Sequence, residues 1–182
     1  RAVLIDAAGA PPDAALSAAC LRSLLLFELP VVFAFEGALA GGLAEIALAA
    51  DIRVCSESAS LRGPLASSAR ACTLADEGTA LALFLGREAL SADALLAAGL
   101  VSSLVPAGQS LAEGRRVAAT IASRGPIATR LGKEAIWRGL PQPIDQALRF
   151  ETDLTLLLQT TKDRAEGVRA FLEKRAPIFT GE

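Results

Sequence analysis

Glu45 is the residue of this chain best placed by its neighbours to do chemistry. It is the one charged residue in the run Gly41–Ala49, GGLAEIALA. A short apolar run, Val31 to Phe35, precedes it and reads as a buried strand, and a glycine-bearing turn from Gly37 to Gly42 joins the two. Strand, turn and helix N-terminus together present backbone N–H groups that lack a partner inside the helix. Such groups hold an anion or a developing oxyanion. A carboxylate about one helical turn further on is a candidate acid/base if it faces the same pocket. The ordinary place for such a side chain is the solvated face, where most acidic residues sit. Asp51 closes the stretch ahead of a second apolar run, Ile52 to Cys55.

Several chemistries are excluded by composition. The 182 residues contain no His. No Ser-His-Asp triad, Cys-His pair or His-ligated metal can therefore be built from this chain. Cys20, Cys55 and Cys72 are an odd count without CxxC spacing, so neither a disulfide framework nor a metal site is expected, and a reducing cytoplasm is. The net charge is −2 with no basic stripe or tail, which argues against nucleic acid as a partner. No apolar run reaches the length of a membrane span, Leu24 to Phe35 being interrupted by Glu28 and Pro30. There is no Met, and Arg1 begins inside a strand-like run, so further N-terminal sequence is expected to precede it.

The elements that must position Glu45 follow from periodicity and punctuation. Arg1–Asp6 reads as a strand, and Pro12 introduces a helix over Asp13–Phe27 with Leu16, Cys20, Leu21, Leu24 and Leu25 at helical spacing. With strand Val31–Phe35 this makes a βαβ-like unit, which favours a parallel pair. Strand Ile52–Cys55, a turn at Ser56–Ala59 and a brief extended segment Ser60–Arg62 lead to the break at Gly63-Pro64. Leu65–Asp76 is weakly periodic and reads as a loop, followed by a helix over Glu77–Leu85. Ser91 caps a helix over Ala92–Ala98, Gly99 stops it, and Leu100–Val105 is extended. The remainder reads as helical. Ser110 and Glu113 have capping-box spacing for a helix to about Ser123, and further helices cover Ile127–Arg138, Ile144–Gln159 and Lys162–Lys174. The expected division is an α/β part over 1–105 and a helical part over 106–182, whose apolar stripes need a partner surface.

Four segments resemble one known family in matching order. GALAGGLAEIALAAD, Gly37 to Asp51, resembles the signature of the crotonase superfamily, whose founding members are enoyl-CoA hydratases. ADIRVCSESASLRGP is similar to the segment that leads to a Gly-x-Pro near the active site. LSADALLAAGLVSSLVP looks like the stretch carrying an Ala-Gly-Leu-Val motif, and KDRAEGVRAFLEKRAPIFTGE is similar to the C-terminal signature. The resemblance implies an α/β crotonase-like spiral of ββα turns with a C-terminal helical trimerisation region. It implies an enzyme acting on acyl-CoA thioesters, with no cofactor because coenzyme A belongs to the substrate. It also implies a homotrimer or a hexamer.

Site residues carry over where the motifs match. Gly42 stands where the family supplies an oxyanion N–H; Gly41 precedes it, and Leu43 replaces a glycine, which implies an altered turn. Glu45 matches the first hydratase glutamate, which binds and activates water. The second hydratase glutamate follows the Gly-x-Pro; here Gly63-Pro64 is followed by Leu65, which cannot transfer a proton. Such help contributes about a hundred- to ten-thousandfold, so a slowed hydratase is implied. Glu57, Asp76 and Glu77 are near in sequence, with solvated surface charge as their ordinary role. The other oxyanion donor is not assigned, because AAGAPP, Ala7 to Pro12, matches its loop poorly. Glu36 replaces the family's Asn before Gly37. Lys174 and Arg175 match a region that meets CoA phosphates, and they equally suit cations opposing a helix dipole. A crotonase-fold decarboxylase or isomerase, or a non-catalytic acyl-CoA-binding subunit, remains the alternative.

Overall fold

The computed structural model describes residues 1–7, 18–65, 69–86 and 89–182. Two compact units emerge: Val3–Phe27 with Val31–Ala118, and Arg1–Ala2 with Glu28–Pro30 and Ala119–Glu182. The first is α/β. In order it contains β1 (Val3–Asp6), α1 (Ala18–Leu25), β2 (Val31–Phe35), β3 (Ala38–Leu39), α2 (Gly41–Ala49), β4 (Ile52–Ser56) and β5 (Ser60–Arg62). It continues with α3 (Ala69–Leu74), α4 (Glu77–Leu85), β6 (Ala89–Ser91), α5 (Ala92–Ala97), β7 (Ser103–Val105) and α6 (Ser110–Ala122), within which the division into units falls.

Two sheets organise this unit. One has the order β1-β2-β4-β7 with every neighbour parallel, Val3 facing Val31 and Phe33 facing Arg53. The other has the order β3-β5-β6, parallel then antiparallel. The chain lays β2 in the first sheet, β3 in the second, then α2; it repeats with β4, β5, α3 and α4. All five residues of β2 are buried, as a parallel strand covered on both faces requires. Phe33, Phe35, Leu48, Leu61, Leu83 and Leu95 anchor the core between these elements.

Three local expectations change. The Leu65–Asp76 loop contains α3, whose Ala71 is buried in the core cluster. Two short strands, β3 and β6, were not legible as such. The capping box at Ser110 does not form: Ser110 Oγ donates to Glu36, while Glu113 binds Arg116 at 2.7 Å. The helix expected from Asp13 is seen from Ala18; residues 8–17, Pro12 included, lie outside those described.

The second unit contains α7 (Pro126–Gly139), α8 (Ile144–Gln159) and α9 (Lys162–Leu172), with α8 matching its expected span. α7 packs on α8, and Gly139 faces Ala147 there. α9 ends two residues short of expectation. Lys174 takes φ 53°, Arg175 N–H donates to Ala170 O and Lys174 N–H to Phe171 O, the pattern of a Schellman stop. The tail folds back on α9. Thr180 and Gly181 N–H donate to the buried Asp163, and Ile178 N–H donates to Glu166. Among the described residues no helix is long and apolar enough to cross a membrane.

Candidate active site

α2 is unusual in what it buries. Its side chains are apolar except for Glu45, yet Glu45 is only 6% exposed. A buried carboxylate is costly without partners, and Glu45 is engaged rather than bare. An acidic side chain held inside an apolar helix marks a functional site more often than a surface one does. The helix starts from Ala40 in an extended conformation, φ −148° and ψ 169°, and no side chain caps it. Gly41 takes φ 53°, a left-handed value that glycine adopts readily. Gly42 is buried beside it. The first N–H groups of α2 therefore start from a turn whose own side chains supply no acceptor. Leu43 is already helical and packs into the core cluster, so the turn closes on Gly41 and Gly42 without it.

The segment after β5 belongs to the same unit. Gly63 is buried and a Cβ there would lie 1.9 Å from Leu83 O at the end of α4. Pro64 is exposed. Leu65 is 3% exposed and belongs to the same apolar cluster as Leu39, Leu43, Leu61, Ala71 and Leu83. It stands there as packing. α2 packs on β5 and α3, the elements that precede and follow the Gly63–Leu65 segment in the chain. Asp76 caps α4, accepting from Thr79 N–H and Oγ1, and Glu57 and Glu77 are exposed. Residues 8–12 of the AAGAPP loop lie outside those described.

Lys174 and Arg175 lie in the helical unit. Both are exposed, but Arg175 is committed: its guanidinium binds both oxygens of Glu166, at 2.6 and 3.0 Å, and Glu173 at 2.6 Å. Arg175, with Ile178 N–H, holds the Glu166 carboxyl down at about 2.

Two charged residues close in sequence to the α2 turn and its C-cap make contacts that the sequence did not reveal. Glu36, between β2 and the turn, accepts from Ser110 Oγ, Gly108 N–H and Ser110 N–H, so it caps α6. The Ser110 hydroxyl, then Gly108, keeps its carboxyl below the usual 4.5. Arg53 lies on β4, 4% exposed, and bonds the carbonyls of Ala50 and Leu100. A lone Arg inside the apolar run Ile52–Cys55 was the available signal. Among the described residues no group of three or more Cys, Asp or Glu is arranged to hold a metal ion.

The profile of the enoyl-CoA hydratase/isomerase family matches residues 15–182. The short-chain-enoyl-CoA hydratase of Clostridium acetobutylicum is 34% identical over 163 residues, covering 85% of this chain and 62% of the relative. The crotonyl-CoA hydratase of Syntrophomonas wolfei is 32% identical over 174 residues, covering 91% and 67%. The crystal structure of an enoyl-CoA hydratase from Bacillus anthracis is similar with a TM-score of 0.83 at 35% identity, over 90% of this chain and 67% of that one. The chain thus spans 62% to 67% of the length of these relatives.

Proposed function

The chain belongs to the enoyl-CoA hydratase/isomerase family of the crotonase superfamily, and from that premise we propose that it adds water across the double bond of a 2-enoyl-CoA. The observation that carries the reading is Glu45: a buried carboxylate, and the one charged residue of the helix that starts at Gly41-Gly42. Gly42 N–H stabilises the thioester oxygen as it gains negative charge; loss of one such donor typically costs about a hundred- to a thousandfold in rate. Glu45 orients the attacking water and takes its proton as the oxygen bonds to the β-carbon. The α-carbon takes its proton from a second water, because Leu65 has none to give, and the hydroxide left behind takes back the proton held on Glu45, so that one net water is added and the carboxylate is restored. Gly41, Leu43, Gly63 and Pro64 shape the acyl pocket.

Coenzyme A belongs to the substrate, so the reaction needs no separate cofactor. Lys174 meets CoA phosphate, and Arg175 holds the tail through Glu166. The protein works in the cytoplasm as a homotrimer, or as a hexamer made of two. Exposed Ile136, Leu140, Ile144, Leu148, Phe171 and Leu172 in the helical unit support such an assembly, since patches of this kind mark interfaces.

Spectroscopic loss of the conjugated thioester tests the reading, using crotonyl-CoA and longer enoyl-CoAs with the parent and Glu45→Ala. Turnover that depends on Glu45 is expected. No turnover above the Glu45→Ala background at any chain length overturns it. Leu65, set in the core cluster, favours a second reading, a decarboxylase in which the C–C bond to the substrate carboxylate breaks, CO₂ leaves, the bonding pair forms an enolate held at Gly42, and water protonates its α-carbon, so that no second protein carboxylate is needed. CO₂ release from malonyl- or glutaconyl-type thioesters tests that one. Calorimetric CoA binding with neither chemistry would leave a non-catalytic acyl-CoA-binding subunit.

A further inference from the structure

α2 is packed into the core by its side chains, but its two ends carry no side-chain cap or dipole-opposing charge of their own. No side chain caps its first turn, no acidic residue stands there, and no basic residue stands in its last turn. Its C-terminal end is gripped from outside. Ala50, the C-cap, donates its N–H back to Ile46 and Ala47, and its carbonyl accepts from Arg53 Nη1. Arg53 Nε donates at 2.5 Å to Leu100 O, in the segment that follows α5. Next to it, Asp51 N–H donates to Val31 O and Asp51 Oδ2 accepts from Val31 N–H at 2.8 Å. The guanidinium is buried, in register with Phe33 of β2.

A buried cation is expensive unless its donors are used. Here it meets carbonyls, one of them at a helix C-terminus where the backbone dipoles leave partial negative charge. The planar fork of Arg reaches two acceptors at fixed angles, and the single ammonium of Lys does not. A nine-residue helix is about 13 Å long, so a hold at Ala50 acts on Glu45 and Gly42 through one rigid rod. Packed helices commonly shift by about 1–2 Å between states, whereas reacting groups need placement to within about 0.5 Å.

We propose that Arg53 is a positioning residue: by joining the end of α2 to Leu100 it fixes the axial position of the helix, and with it the Glu45 carboxylate and the Gly42 N–H. This rests on the hydratase reading for its kinetic consequence only.

The experiment compares the parent with Arg53→Lys, Arg53→Gln and Val54→Ala, the last a cavity in the same strand at a fully buried position. Kinetics on crotonyl-CoA and amide hydrogen exchange at Gly42–Ile46 are read together. A misplacement near 1 Å costs up to about a hundredfold, so Arg53→Lys is expected to lower kcat by ten- to a hundredfold while KM stays within about threefold. Exchange should speed up in α2 ahead of β2. Val54→Ala should lower Tm without splitting kcat from KM. Unchanged kcat and unchanged α2 protection in Arg53→Lys overturn the proposal. So does an equal kcat loss in Val54→Ala, or failure of both Arg53 variants to fold while Val54→Ala folds. If the parent shows no turnover, the hydratase reading fails, and hydrogen exchange alone decides the role of Arg53.

Discussion

Gly63→Ala measures how tightly the segment beside the site is held. A methyl there would lie 1.9 Å from Leu83 O, 2.9 Å from Leu83 C and 3.0 Å from Gly86 O. Ordinary contact begins near 3.5 Å, so something must move by roughly 1.5 Å. All three atoms are backbone at the end of α4, anchored by the buried Leu83 side chain and by Gly86 N–H donating to Ala82 O at 2.7 Å. No rotamer change relieves the clash. Overpacking typically costs about 1–3 kcal/mol, and backbone contact puts this site at the upper end, about 3 kcal/mol. For a chain of this length that is a fall of about 6–12 °C in Tm. Gly37→Ala is the control: it takes φ 67° with nothing within 4 Å of a Cβ, so it incurs only the left-handed penalty of about 1–2 kcal/mol. Urea unfolding and calorimetry of both variants give the comparison. A Gly63→Ala loss smaller than that of Gly37→Ala would refute the close approach of α4 to this segment.

Three other outcomes follow from charge and burial. Burial pushes the Cys55 thiol from its ordinary 9.0 to about 11; between those values the unfolded chain loses the proton first, so the stability this thiol contributes is complete below pH 9 and is lost as pH rises through 11. Iodoacetamide at pH 8 should modify exposed Cys20 and Cys72 quickly and Cys55 only in urea, and three fast reactions would contradict the burial. Glu36→Gln turns an amide N–H₂ toward the N–H donors of Gly108 and Ser110. Because the folded carboxyl is held below 4.5, its contribution is present above that pH and disappears as pH falls through the lowered value; the Tm gap between parent and variant should be open at pH 7 and close under acid, and equal Tm at pH 7 would count against it. Leu65→Glu should lower Tm, since it buries a carboxylate in an apolar cluster. It should also raise hydration about tenfold or more if a missing proton donor limits the rate; a flat rate argues for the decarboxylase reading.

What the sequence made legible depended on where each element's partners lie. α8 and α4 were readable to the residue because periodicity and punctuation are local. β2 was readable because a fully buried strand is a continuous apolar run. β3 and β6, of two and three residues, exist because β5 lies between them, and their own sequences carry too few residues for a pattern. α3 is a weakly periodic ARACTL held by tertiary packing of Ala71. The cap of α6 comes from Glu36, 72 residues before Gly108, whereas the local box motif lost Glu113 to Arg116, three residues on. At the site, the type and position of Glu45 were legible, but its burial was not, because a lone acidic residue on an Ala-rich helix fits the surface equally well. The role of Arg53 was illegible for the same reason as the capping role of Glu36: its acceptor at Leu100 is 47 residues away.

The uncapped start of α2 can be turned into a test of what its N–H groups are for. Gly42 costs up to about 1 kcal/mol against Ala in a helix, Gly41 is held at φ 53° where Ala would be strained, and a nine-residue helix is marginal by itself. α2 persists because Leu43, Ala44, Ala47, Leu48 and Ala49 are buried. Ala40 occupies the N-cap with the extended backbone that Ser uses there. Ala40→Ser would let Oγ accept from the N–H of Gly42 or Leu43, adding about 1 kcal/mol, or about 2–4 °C in Tm. That hydroxyl would also occupy the donor assigned to the thioester oxygen. If Gly42 N–H stabilises the oxyanion, the more stable variant is the slower one, by up to about a hundredfold in kcat, with far-UV dichroism unchanged. A rise in Tm with kcat intact would show that the amides at this helix start do not take part in the reaction, and would shift the burden of catalysis to Glu45 alone.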